Sequence, residues 1–135
     1  ELIDATSKGN SMILEHANVT VSNPEESAAL LTRLFDWHVR WQGPSMLGGR
    51  TVHVGTDESY LALYTPEQTT GDTSDNHRVG GLSHLGILVE NLDEVENRVR
   101  AEGIEPFNFL DYEPGRRFYF LDPDGIEFEV VSYAA

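Results

Sequence analysis

Two histidines and one glutamate carry most of the chemistry this sequence can offer. His16 lies in the alternating stretch Ile13–Val21 and His84 in the alternating stretch Leu82–Val89. Each histidine stands opposite an apolar set: Ala17, Val19 and Val21 in the first stretch, Leu85, Ile87 and Val89 in the second. Asn18 and Gly86, two residues on, keep the surface beside each ring uncrowded. Neutral imidazole is the commonest protein ligand for Zn, Fe, Mn or Ni, and two imidazoles with one carboxylate form a facial donor set. Glu129 is the candidate carboxylate. In Ile126-Glu127-Phe128-Glu129-Val130 a period of two puts Glu127 and Glu129 on one side of a strand and the apolar residues on the other. A histidine on a sheet face often has only a structural role. Two at matching positions, with a carboxylate on a polar strand face, favour a divalent metal site.

The elements that must position these groups are legible in order. After the first strand, Asn23-Pro24-Glu25-Glu26 reads as a helix start, with an Asn cap, Pro at the first helical position and acids in the first turn. Leu30, Leu31, Leu34 and Phe35 form its apolar stripe. Trp37–Gln42 reads as a strand, and Arg50–Val54 with Tyr60–Tyr64 as a hairpin. The stretch 65–80 is polar, without apolar period, and reads as a linker. The order then recurs: strand Leu82–Val89, a helix capped by Asn91 and ended at Gly103, strand Pro106–Leu110, and a hairpin around Asp122-Pro123-Asp124-Gly125. Each half is βαβββ.

Sliding the chain over itself makes the duplication explicit. Leu14, His16, Val21 and Asn23 fall on Leu82, His84, Val89 and Asn91 at an offset of 68. At an offset of 67, Glu129 meets Ala62 and Phe120 meets His53. The expected organisation is an arm over residues 1–11 and one domain over 12–135. That domain comprises module one (12–65), a linker (66–80) and module two (81–135).

Composition narrows the partners. The chain has 135 residues, 39% of them hydrophobic, and a formal charge of −14 from 9 basic and 23 acidic side chains. Such a balance repels nucleic acid and anionic membrane and suits a folded cytoplasmic protein. There is no cysteine, which excludes disulfides, thiolate metal sites and cysteine nucleophiles. No apolar run approaches the roughly 18–20 residues that span a bilayer.

Paired βαβββ modules, a histidine early in each, and Asp122-Pro123-Asp124-Gly125 followed by Glu129 resemble the vicinal oxygen chelate superfamily. That group includes glyoxalase I, methylmalonyl-CoA epimerase, extradiol dioxygenases, fosfomycin-modifying enzymes and bleomycin-binding proteins. The resemblance covers Ile13–Tyr133. It implies an α+β fold whose eight strands form a partly open cup, often completed by a homodimer. It also implies a divalent ion (Fe, Mn, Ni or Zn) held by His16, His84 and Glu129, and a small-molecule substrate bound through two oxygens. Glyoxalase I and the epimerase have a fourth protein ligand where this chain has Ala62. The chain is therefore more similar to the three-ligand dioxygenases and fosfomycin enzymes.

The same resemblance makes Tyr119, ten residues before Glu129, a hydrogen-bond donor or acid to the substrate. Its strand would turn Tyr119 toward Glu129 only with an extra residue near Asp124, because a two-residue turn would turn Phe118 and Phe120 there instead. Arg117 shares the face of Tyr119, as a contact for an anionic substrate group or as a solvated edge charge. His53 is a candidate proton shuttle or substrate contact. Tyr60, with Tyr64, Trp37 and Trp41, either lines an aromatic pocket or fills the core. The rival function is a non-catalytic module that traps a small cationic ligand in an acidic, aromatic groove.

Overall fold

A computed structural model describes residues 12–45, 48–68, 79–112 and 115–133. The expected arm (1–11) and most of the expected linker lie outside the described residues. Two compact units emerge. The division falls after Gln68, and Arg33–Asp36 cluster with the second unit.

The first unit contains β1 (His16–Thr20), α1 (Pro24–Phe35, except its last turn), β2 (His38–Pro44), β3 (Arg50–Gly55) and β4 (Tyr60–Thr65). The sheet order is β1-β4-β3-β2, with β1 parallel to β4 and the remaining pairs antiparallel. Asn23 Oδ1 accepts the Glu26 amide at 3.1 Å, which satisfies one of the amides that a helix start leaves open. Alternation then sorts the strands: Val19, Val52, Val54, Leu61 and Leu63 are buried, as are Ala28, Leu30 and Leu31 of α1. The edge strand β2 carries an irregularity between Val39 and Trp41 that shifts its register against β3.

The second unit repeats the plan with β5 (Leu85–Leu88), α2 (Leu92–Ala101), β6 (Phe107–Tyr112), β7 (Gly115–Leu121) and β8 (Glu127–Ser132). Its sheet order is β5-β8-β7-β6. Asn91 caps α2 by accepting the Glu94 amide at 3.0 Å. Gly103 ends the helix at φ 79°, with its amide on the Arg100 carbonyl and the Ile104 amide on the Val99 carbonyl. The helix lies against β7 and β8. Phe118, Phe120, Phe128, Val130 and Val99 are fully buried. Phe120 stacks on Phe128 at 5.1 Å, and the Phe35 ring lies 6.3 Å from each.

The fold is therefore α+β, two four-stranded sheets with two helices, as the repeat implies. Both first strands are shorter than the alternation suggested: Ile13–Glu15 and Leu82–His84 precede the ladders. β2 and β6 extend two residues past their expected ends. No helix among the described residues is long and apolar enough to cross a membrane.

Candidate functional site

The hairpin of the second unit settles which residues face Glu129. Leu121 pairs with Glu127, so residues 122–126 form a five-residue loop instead of a two-residue turn. Asp122 shapes it. Its Oδ1 accepts the amides of Asp124 and Ile126, both at 2.9 Å, and its own amide bonds to the Ile126 carbonyl. Burial pushes the Asp122 carboxyl above its ordinary value, while those donated amides pull the other way. The odd loop shifts the register by one and sets Tyr119 directly opposite Glu129. Phe118 and Phe120 go to the core.

On that face four side chains converge. His84 Nε2 lies 3.1 Å from Glu129 Oε1, and Arg117 Nη1 donates to Glu129 Oε2 at 2.8 Å. The Tyr119 ring meets His84 edge-on at 5.6 Å. Glu129 and Arg117 are each only 12% exposed and His84 34%, so the group is partly withdrawn from solvent. Arg117 is thus not a solvated edge charge: its largely buried guanidinium donates from Nη1 to Glu129. Glu127 Oε2 lies 3.7 Å from His84 Nδ1, beyond hydrogen-bonding reach, and Ser83 Oγ stands 3.3 Å from the same nitrogen. Gly86 pairs with Glu129, and a methyl group built there would meet nothing within 4 Å. The floor beside the pair is open.

The first unit gathers a different set. His16 opens β1 opposite Tyr60, and their rings stack at 4.8 Å and 16°. His53 stacks on Tyr60 at 4.6 Å, and Trp41, its partner across the ladder, tilts over His53 at 5.1 Å. The Arg40 guanidinium sits 4.4 Å from the Tyr60 centroid, a cation–π geometry. Glu15 Oε1 accepts from His16 Nδ1 at 2.9 Å. Burial holds the His53 imidazole below its ordinary value, reinforced by the charges of His16 and Arg40 and opposed by Glu15. Tyr60, Trp41 and His53 thus form a half-exposed ring surface and do not fill the core.

One sequence expectation is corrected here. His53 lies opposite Ala62, as Tyr119 lies opposite Glu129, so its counterpart is Tyr119 and not Phe120. The β3–β4 connection is one residue shorter than the β7–β8 loop, and the repeat offset therefore falls from 67 to 66 between those strands. Arg40 and Glu15 were not legible as site residues. Arg40 sits at the β2 irregularity, which no local pattern announces, whereas the Glu15-His16 adjacency was visible in the sequence.

The donor chemistry fits a divalent ion. Metal–nitrogen and metal–oxygen distances near 2.0–2.2 Å put neighbouring ligand atoms about 3.0–3.4 Å apart. The 3.1 Å between His84 Nε2 and Glu129 Oε1 matches that spacing and is equally a hydrogen-bond distance. Among the described residues, no three His, Asp or Glu side chains form a ready-made cage. The second unit presents a two-donor edge, and the first presents His16, whose Nδ1 is engaged and whose Nε2 is the remaining donor atom.

Comparison with known proteins places the fold. No curated protein matches the sequence significantly. Among solved structures, a glyoxylase/bleomycin resistance protein/dioxygenase domain from Frankia sp. EAN1pec superposes with a TM-score of 0.78 at 24% identity, covering 90% of this chain and 97% of that one. The fosfomycin resistance protein FosX from Listeria monocytogenes superposes at 0.67 with 18% identity, covering 90% and 93%. The same FosX complexed with Mn(II) and sulfate gives 0.66 at 19% identity over 90% and 93%. At such identities the likeness is one of fold. The profile of the Glyoxalase/Bleomycin resistance protein/Dioxygenase superfamily matches residues 13–130, and the chain belongs to that superfamily.

Proposed function

We propose that the protein is a divalent-metal-dependent enzyme that binds a small molecule through two vicinal oxygens, with His16, His84 and Glu129 as the protein ligands. The observation that carries this reading is the His84–Glu129 edge at 3.1 Å, backed by Arg117 on the second carboxylate oxygen. When bound, the ion (Fe, Mn, Ni or Zn) supplies Lewis-acid polarisation of the chelated oxygens. Ala62 would contribute no fourth ligand, and an ion held by three protein groups would leave room for substrate oxygens and water. The FosX structure with Mn(II) supports a metal of this class.

The chain's own groups then have distinct tasks. Arg117 occupies Glu129 Oε2, which reserves Oε1 for ligation and fixes the carboxylate plane. Its charge favours an anionic substrate group on the same face. Tyr119, across the ladder from Glu129, is the candidate hydrogen-bond donor or acid to a developing oxyanion. His53, held neutral near pH 7, and Tyr60 offer a base and a ring face to the substrate. Dioxygenase-like and lyase-like reactions both suit this arrangement. Each sheet ends in two edge strands that another chain can cover, and we propose a homodimer. Sedimentation showing only monomer at micromolar concentration contradicts that part.

Elemental analysis of protein purified without added metal is the first test, together with His16→Ala, His84→Ala and Glu129→Ala. Stoichiometric metal in the wild type and its loss in each variant supports the reading; no uptake of Fe, Mn, Ni or Zn refutes it. A second reading draws on the ring surface of the first unit, which already holds the Arg40 guanidinium, and on the charge of −14. A binding module for a small cationic ligand would show tight, metal-independent binding of such a cation, and that binding would weaken in Tyr60→Ala.

A further inference from the structure

His16 is held from two sides. The Tyr60 ring covers it nearly in parallel at 4.8 Å, which limits tilting of the imidazole. Glu15 Oε1 takes Nδ1 at 2.9 Å, which limits rotation about the bond to the ring. Glu15 is itself anchored twice to the same tyrosine. Its backbone carbonyl accepts the Tyr60 amide at 3.1 Å, and its Oε1 lies 3.4 Å from the Tyr60 hydroxyl. Glu15 precedes the β1 ladder, where the pleat does not yet force neighbouring side chains to opposite faces.

A carboxylate can only accept, so in a neutral ring this contact assigns the proton to Nδ1 and the lone pair to Nε2. The other candidate histidine differs: its carboxylate, Glu129, stands 3.1 Å from Nε2, and its Nδ1 meets only a serine hydroxyl at 3.3 Å, a group that donates or accepts. We infer that Glu15 is a positioning residue for the metal: it locks His16 as the Nδ1–H tautomer and makes Nε2 the stronger donor. Carboxylates behind ligating histidines commonly have this effect. The inference rests on the reading of His16 as a ligand.

Two measurements test it. Nitrogen-detected NMR of the metal-free protein near pH 8 reports the tautomer of His16 without any ion. The expected result is Nδ1–H in the wild type and a shift toward Nε2–H in Glu15→Ala. A wild-type ring protonated on Nε2 overturns the inference. Competition against a chromophoric chelator then gives the affinity for Mn(II) and for Zn(II). Glu15→Ala is expected to lose about 10-fold, at the low end of the range for such partners because Glu15 is solvent-exposed, with Glu15→Gln in between. A loss in Glu15→Gln as large as in Glu15→Ala would mean that Glu15 merely attracts cations through its charge, and would sink the positioning role. Absence of metal uptake by the wild type overturns both this inference and the proposed function. Uptake with unchanged affinity in Glu15→Ala overturns this inference alone.

Discussion

The two units are the same backbone carrying opposite chemistry. Both run βαβββ, both order their strands first-fourth-third-second, and both start their helix with an Asn cap. Three matched ladder positions then differ: Tyr60 against Glu127, Ala62 against Glu129, and His53 against Tyr119. The first unit becomes a face of stacked rings with its carboxylate, Glu15, behind the histidine. The second holds an arginine–carboxylate pair, with that carboxylate, Glu129, in front of the histidine. Duplication preserved what capping and burial require and released the polar face to diverge. Glu129, which stands where the first unit has Ala62, has the Arg117 guanidinium beside it.

That pairing supplies the largest expected effect. Glu129→Ala removes the acceptor from a guanidinium that is itself 12% exposed, and should destabilise the protein by about 3–5 kcal/mol by urea denaturation. Glu129→Gln, which keeps an acceptor, should cost clearly less. The converse substitution sharpens the contrast. Ala62 is 3% exposed, and Ala62→Glu places a carboxylate there without an arginine. The cost should be about 3 kcal/mol near neutral pH and smaller in acid. Burial raises the new group's pKa in the folded state, so the folded form gains protons first and stability recovers as pH falls.

The loop that separates the units' registers comes next. Asp122→Ala removes two donated amide bonds and should cost about 2 kcal/mol, while Asp122→Asn, keeping one acceptor oxygen, should cost less. The sign with pH is specific. The folded pKa of Asp122 lies above its ordinary value of 3.8, so its favourable contribution is complete below that value and is lost as pH rises through the folded pKa. Stability of Asp122→Asn relative to wild type should therefore rise across that window in paired denaturation curves.

The smallest effect concerns the ring surface. His53→Phe keeps a ring on Tyr60 and should change stability by less than about 1 kcal/mol at pH 8. The wild-type His53 titrates below its ordinary value, so the folded state resists its protonation. Wild-type stability should then fall relative to His53→Phe as pH drops below about 6.5. An NMR titration of His53 with a midpoint at or above that value would break the expected contrast with a solvated histidine.

Much of this was legible from local rules. Asn23-Pro24-Glu25 and Asn91 announce helices because caps act within one turn. The alternation around His16, His84 and Glu129 assigns faces because a strand repeats every two residues. The duplication and its asymmetry at Ala62 follow from a comparison of the chain with itself. Register was not local. Whether Tyr119 or its phenylalanine neighbours oppose Glu129 depends on one extra residue in a loop closed by Asp122, and the same count relocates the partner of His53. The irregularity that places Arg40 over Tyr60 is likewise a property of two strands paired, not of one.

By itself, then, the sequence determined the elements, their repetition and the donor types of the candidate site, since these depend on residue chemistry and short-range geometry. Only the tertiary structure decided that Arg117 serves Glu129 and that Glu15 and Tyr60 brace His16. Those contacts join side chains on different strands or just outside them, and their distances are set by how the strands pair.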